Sequence, residues 1–278
     1  MLAYVGGKHR QANWINEFIP KNINKYIEPF GGAFWVYLKS DFMVNDVVYN
    51  DVNPFMANLF ACCAQYNKFL ETIDNYENNL GAKPQDNDLF NDIRNEVVER
   101  FEKNDVEMPD FDLAWKYVYI ATQTFSGIIG PKVKMVDLKG KYKPKYYSFT
   151  DRLKNKKFQK KLDKVRVNNV SYDILFENED TENTFWYVDP PYYGTENLYG
   201  FHSFTKEHHE NLMKCLKNTK SKWILSYYEF PELLEWFPED QYRWERKDYK
   251  KASMATPGKK QSVGTEVLVM NYSNIKSA

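Results

Sequence analysis

Cysteine is scarce: three in 278 residues. Cys62 and Cys63 are adjacent in an apolar helical run and Cys215 stands far away, so neither a disulfide framework nor a zinc-ligand spacing is available, and a reducing compartment is expected. Net charge is lacking as well. Lys and Arg number 38 and so do Asp and Glu, so a polyanion-binding surface has to come from local segregation of charge. No apolar stretch reaches membrane-spanning length and no signal peptide opens the chain, which predicts a soluble cytoplasmic protein. Neither G-x-G-x-x-G nor G-x-x-x-x-G-K-[ST] is present, so the usual cradles for NAD and ATP are not expected. The adjacent His208 and His209 have no further ligands spaced for them, and no metal is expected.

Among what is present, the run Thr184-Phe185-Trp186-Tyr187-Val188 delivers Asp189 onto Pro190, Pro191, Tyr192 and Tyr193. A strand ending there turns a corner, because Pro191 holds Pro190 extended and neither proline donates to a sheet. The Pro190 carbonyl is left to accept. One carboxylate and one neutral acceptor beside the face of Tyr192 suit an exocyclic amino group: both its hydrogens are accepted while a ring stacks on its base. Such acceptors favour a pyramidal nitrogen whose lone pair can be aimed at an electrophilic methyl carbon, so methylation of an aromatic amine is the chemistry this corner fits. An acid locked into an inward ion pair would instead be structural.

The rest of the chain alternates strand and helix around that corner. Leu2–Val5 reads as a short strand broken by Gly6 and Gly7, and Lys8 follows as a possible partner for a carboxylate. Trp14, Ile15 and Phe18 repeat at helical spacing before Pro20. Lys25–Glu28 predicts a strand, followed by Pro29, Phe30, Gly31, Gly32 and Ala33 as a turn into a helix, the geometry that brings backbone amides to a ligand. A second strand ends at Asp51, about 20 residues beyond the glycines, the offset at which such folds bind a ribose hydroxyl. Strands are also expected at 165–167, 222–228, 242–249 and 266–272, the last two as an antiparallel pair at the sheet edge, with a helix capped by Thr205. Thr195–Phe204 is a candidate lid.

Between Tyr66 and Val165 the alternation stops. Three polar helices near 68–80, 88–103 and 110–123, a hairpin or loop over 124–147 and a basic helix from Arg152 to Lys164 predict an inserted subdomain. Lys132, Lys134, Lys141 and Lys143 interleave there with tyrosines, as phosphate contacts require.

Tyr4-x-Gly6-Gly7-Lys8, Glu28-Pro29-Phe30-Gly31-Gly32-Ala33, Asn50-Asp51-Val52-Asn53, Asp189-Pro190-Pro191-Tyr192-Tyr193, Phe204-Thr205-x-x-His208 and Glu266-Val267-Leu268-x-x-Asn271-Tyr272, in this order, resemble the Dam-like (D12 class, alpha-group) DNA adenine-N6 methyltransferases. The resemblance implies a Rossmann-like α/β fold that binds S-adenosylmethionine: a mostly parallel seven-stranded sheet with an antiparallel C-terminal hairpin. It implies a catalytic domain over 1–60 and 165–278, and a mainly helical target-recognition domain with a β-hairpin over 61–164. Tyr4, Gly6, Gly7 and Lys8 would flank the methionine part of the cofactor, with Glu28–Ala33 passing beneath it. Asp51 would accept from the ribose, and Tyr172 and Asp173 would lie beside the adenine. Asp189, also near the cofactor, and the Pro190 carbonyl would hold the N6 of a flipped adenine, with Tyr192 stacked on it and Pro191 and Tyr193 beside it. The implied partner is double-stranded DNA with no obligate protein partner, in a prokaryotic cell or encoded by a phage or mobile element. Phe125–Tyr147 contains no arginine, unlike members that read Gly-Ala-Thr-Cys, so no target sequence is named. Transfer to cytosine N4 or to RNA adenine, and a catalytically silent DNA-binding protein, remain as alternatives.

Overall fold

The apolar runs become strands of one sheet. β1 (Lys25–Glu28), β2 (Asp46–Asn50), β3 (Val165–Asn168), β4 (Thr184–Val188), β5 (Lys222–Tyr227), β6 (Arg243–Lys250) and β7 (Val263–Met270) lie in the order β3-β2-β1-β4-β5-β7-β6. The first five are parallel; β7 runs antiparallel to β5, and β6 antiparallel to β7. This is the mostly parallel seven-stranded sheet with a C-terminal hairpin that was expected. The structure is a computed structural model that describes residues 7–140, 142–194, 204–250 and 263–273. Tyr4, Gly6, Lys141 and the candidate lid up to residue 203 lie outside those residues.

β4 is buried at all five positions, as suits a central parallel strand covered on both faces. Its side chains alternate. Phe185 and Tyr187 join the cluster built with α1 (Ala12–Asn16), α2 (Trp35–Lys39) and α3 (Pro54–Ala64), while Trp186 and Val188 pack with α9 (Tyr172–Glu179), α10 (Lys206–Asn218) and α11 (Pro231–Trp236). Helix starts are locally encoded. The Asn53 side chain accepts from the amides of Phe55 and Met56 ahead of Pro54, and Thr205 forms a capping box with His208.

From β1 the chain builds outward through β2 to β3, then returns to place β4 on the other side of β1. The strand order therefore reverses between β1 and β4, where Lys25, Tyr26 and Ile27 pair with Thr184, Phe185 and Trp186. Ligands of open α/β sheets bind outside the carboxyl ends of strands at such a reversal. Glu28 and Asp189 stand at those two ends.

The segment between α3 and β3 contains α4 (Tyr66–Asp74) running into a π-helical turn at Asn75–Asn79, α5 (Asn87–Lys103), α6 (Phe111–Ala121), α7 (Lys145–Lys154) and α8 (Lys156–Leu162). Three expectations need correction. Far from being polar, α6 buries Leu113, Ala114, Trp115 and Tyr117–Ala121 and forms the centre of this region. No β-hairpin forms among the described residues of 124–147; a 3-10 turn at Phe125–Gly127 is followed by loop. Ser126 and Gly127 adopt positive φ of 55° and 74°, which breaks an extended run. Side chains hold the loop instead: Arg94 donates to the Val133 carbonyl and the Leu138 amide donates to Gln85 Oε1. The basic helix is divided at Asn155, and its Lys161 turns inward to donate to Ser40 Oγ at 2.7 Å and the Phe42 carbonyl at 3.2 Å. Among the described residues no helix is long and apolar enough to cross a membrane.

Candidate active site

The turn after β1 is built by its neighbours on β2. Gly31 donates to the Asn50 carbonyl at 2.7 Å, and the Gly32 amide donates to Asp51 Oδ2 at 2.9 Å. The Tyr49 hydroxyl returns a hydrogen bond to the Gly32 carbonyl at 3.0 Å. Asp51 Oδ1 takes the Asn53 amide at 2.9 Å, so both carboxylate oxygens are fixed by backbone donors. Burial nevertheless pushes Asp51 up to about 6 against the pull of those amides. At the end of β1, Glu28 accepts from the Tyr26 hydroxyl and the Tyr37 amide. Burial raises it to about 8, so it is mostly neutral at pH 7.

Asn50 joins this turn to the one preceding α9. Its Nδ2 donates to the carbonyls of Pro29 and Val170, and its Oδ1 accepts from the Val170 amide at 3.0 Å. The side chain is buried, so Asn50→Ala leaves three backbone groups without partners. A loss of about 2 kcal/mol in unfolding free energy is expected, measurable by urea denaturation.

On the far side of that seam, Phe30, Tyr172 and Phe204 form an aromatic group with centroids 5.4 to 5.9 Å apart. The Tyr172 hydroxyl donates to the His208 carbonyl. Next to it, Asp173 Oδ1 is buried with no hydrogen-bond partner among the described residues. An acceptor left unpartnered one residue from Tyr172 suits a hydrogen-bond donor supplied by a ligand.

Asp189 lies across the strand reversal. Lys8 Nζ stands 2.7 Å from its Oδ1, and Glu266 Oε1 on β7 is 3.6 Å from the same ammonium. Asp189 therefore has an ion-pair partner, the feature that would mark a purely structural acid. Its side chain nevertheless remains 17% exposed, against 6% for Lys8 and 2% for Glu266. Burial pushes Asp189 up to about 6, with Lys8 lowering it and Glu266 raising it. Pro190 is buried behind it, and the Pro191 carbonyl takes the Tyr227 hydroxyl at 3.3 Å. Tyr227 is itself hydrogen-bonded to the buried His209. The Tyr192 ring stacks on Tyr227 at 5.2 Å, its hydroxyl donates to Glu266, and Lys8 Nζ sits 4.7 Å from its centroid. Tyr193 lies parallel to Phe230 at 4.9 Å.

The strand ends thus bring together Lys8, Glu28, Asp189, Pro190, Pro191 and Tyr192, with Pro29 to Ala33 and Asp51 in the adjoining turn. Gly7 is half-buried just ahead of Lys8. Lys132, Lys134 and Lys143 stand exposed on the segment between α3 and β3, and Lys143 pairs with Asp151 at 3.1 Å. Sequence reasoning assigned no role to Glu266, Ser226, Tyr227 or His209. For Glu266 a signal existed, a single acid heading the apolar run Val267-Leu268-Val269-Met270 of a strand.

Residues 4–253 match the family model described as D12 class N6 adenine-specific DNA methyltransferase. The chain is 24% identical over 232 residues to the type II methyltransferase M.CviBI of Paramecium bursaria Chlorella virus NC1A, covering 81% of each protein. To the type II methyltransferase M.MjaIII of Methanocaldococcus jannaschii it is 27% identical over 220 residues, 74% of this chain and 73% of the relative. Type II methyltransferase M1.LlaDCHI of Lactococcus lactis subsp. cremoris is 25% identical over 298 aligned positions, 98% of this chain and 94% of the relative.

Proposed function

This chain belongs to the D12 class of N6 adenine-specific DNA methyltransferases, and on that premise we propose how its residues divide the work of site-specific adenine methylation. Membership implies S-adenosylmethionine as the methyl donor. The residues present fit such a ligand. Gly31 and Gly32 would bring backbone close to it, Asp51 would accept from the ribose hydroxyls, and the unpartnered Asp173 Oδ1 would accept from the adenine amino group. Gly7 and Lys8 flank the methionine part. Bound there, the donor would supply an electrophilic methyl carbon, with its sulfur keeping the electron pair of the broken carbon–sulfur bond.

The chain's own part concerns the amine. A target adenine is swung out of the duplex at a cost of about a few kcal/mol, which the pocket recovers. Asp189 and the Pro190 carbonyl accept the two N6 hydrogens, which localises the nitrogen lone pair and aims it at the methyl carbon. As the new N–C bond forms, one N6 proton passes to Asp189 and from there to solvent. Tyr192 lies under the base, with Tyr193 and Pro191 beside it. The inserted region, about 61 to 164, reads the duplex, with Lys132, Lys134, Lys141 and Lys143 meeting phosphates.

The observation that carries this reading is the strand reversal, which sets the Asp189 corner of β4 beside the glycine turn of β1. The experiment is modified-base sequencing of DNA from cells expressing the chain, with digestion of the product to nucleosides. N6-methyladenine in one sequence context is expected; N4-methylcytosine, or no modified base, would overturn the assignment.

A pH dependence follows from the same acids. Asp189 accepts only when ionised, and burial sets it near 6, as it does Asp51. Falling pH protonates both, so kcat/KM should be level above about pH 7 and fall at least tenfold per unit well below about 6. A profile flat down to pH 5 would remove Asp189 as the acceptor.

A further inference from the structure

Lys8 stands where the target amine has to go. Its ammonium makes a charge-assisted contact to Asp189 Oδ1 at 2.7 Å and lies 4.7 Å from the centroid of the Tyr192 ring. An exocyclic amine on a stacked base would use the same carboxylate and the same ring. The main chain of Lys8 is held, because its carbonyl accepts the amides of Gln11 and Ala12 at the start of α1. The four-carbon side chain beyond it has several rotatable bonds. Nearby is a second acid, Glu266, on a strand whose other inward positions are apolar. Its Oε1 takes hydrogen bonds from the Tyr192 hydroxyl and from Ser226 Oγ at 2.5 Å, which fix it in place. Two carboxylates therefore share one ammonium, and a shift of about 1 Å brings Lys8 Nζ from its 3.6 Å separation to hydrogen-bonding distance of Glu266.

We infer that Lys8 is a placeholder in the target-base pocket, and that Glu266 is the positioning residue that receives its ammonium when the base enters. The inference rests on the reading of Asp189 as the amino-group acceptor. In the empty pocket Lys8 neutralises Asp189. When the amine arrives the ammonium passes to Glu266, and the two N–H groups of the amine replace it as hydrogen-bond donors to Asp189 and its neighbouring carbonyl. Tyr192 links the two states, since the ring that Lys8 uncovers is the one whose hydroxyl anchors Glu266.

The test compares Glu266→Gln and Glu266→Asp with wild type. Gln keeps an oxygen for Tyr192 and Ser226 but removes the charge that draws Lys8 away. With Gln, calorimetric affinity for S-adenosylmethionine and KM for DNA should stay within about threefold of wild type, while kcat falls roughly 30-fold. Asp should recover most of that loss. Lys8→Met combined with Glu266→Gln should be no slower than Lys8→Met alone, because Glu266 then has no ammonium to receive. An unchanged kcat in Glu266→Gln, an Asp variant as slow as Gln, or losses that simply multiply in the double variant would each overturn the inference. A wild type that methylates no DNA overturns the functional reading and this inference with it; an active wild type matched by Glu266→Gln overturns the inference alone.

Discussion

Asp189→Ala is expected to slow methyl transfer by roughly 1,000-fold or more, with S-adenosylmethionine affinity within about threefold of wild type. The substitution removes the anionic member of the pair that localises the N6 lone pair, together with the group that takes the proton. The Pro190 carbonyl alone cannot accept both hydrogens along the directions that make the nitrogen pyramidal. The fold should survive. Burial already disfavours the Asp189 charge, pushing its carboxyl up to about 6, and Lys8 keeps Glu266 as a second partner 3.6 Å away. Single-turnover transfer of a tritiated methyl group, calorimetric titration of the cofactor and a thermal melt separate these effects. Near-normal transfer by the variant would remove Asp189 from the mechanism, and a lost melt would make it a structural acid.

Much of the site was legible because its parts are local. An uninterrupted apolar run such as Thr184–Val188 suits a parallel strand covered on both faces, and the acid and prolines that follow mark its end. The glycine turn after Glu28 and the cap at Asn53 are likewise set by neighbours in sequence. The contacts that decide what Asp189 does are not local. Glu266 lies 74 residues from Tyr192, and the two meet because β7 pairs with β5 beside β4. Lys8 could be foreseen as a lysine near a carboxylate, but two acids sharing it depend on the completed sheet.

The segment between α3 and β3 was harder to read for a related reason. Lys116 and Asp112 pair with each other on one side of α6, and a scan that counts charges sees a polar helix. Leu113, Ala114 and Trp115 between them, with Tyr117 to Ala121 beyond, form a core closed by Tyr76 stacked on Trp115 and by the Trp115 indole donating to Tyr146. The loop around Val133 and Leu138 is likewise held by Arg94 of α5 and by Gln85 in the turn before it, which supply hydrogen bonds that a hairpin would have drawn from its own partner strand. Lys161 belonged by composition to a basic face, yet Ser40 and the Phe42 carbonyl supply an inward home for its ammonium.

Gly31→Ala tests the other half of the site, the turn beneath the proposed cofactor. A Cβ at this position would lie 2.3 Å from Tyr49 Cε2 and 2.6 Å from its Cδ2, closer than nonbonded atoms can approach. The ring cannot retreat cheaply. Tyr49 is fully buried, stacks on Phe60 at 4.3 Å, meets Phe34 edge-on at 5.0 Å and is tethered through its hydroxyl to the Gly32 carbonyl. The backbone must move instead, and moving it disturbs the hydrogen bonds from Gly31 to Asn50 and from Gly32 to Asp51 that aim the turn. A destabilisation of about 3 kcal/mol is expected, which lowers the melting temperature by roughly 6 to 10 °C in a chain of this size. Cofactor affinity should fall at least about tenfold, because the amides and Asp51 are displaced together. Gly130→Ala is the control. Its added Cβ would meet only Val133 Cγ2 at 3.5 Å, an ordinary contact, and both melting and binding should stay near wild type. If Gly31→Ala instead melts with the wild type and binds S-adenosylmethionine as tightly, then the Tyr49 ring does not wall the turn, and the close backbone approach on which the proposed cofactor site depends is wrong.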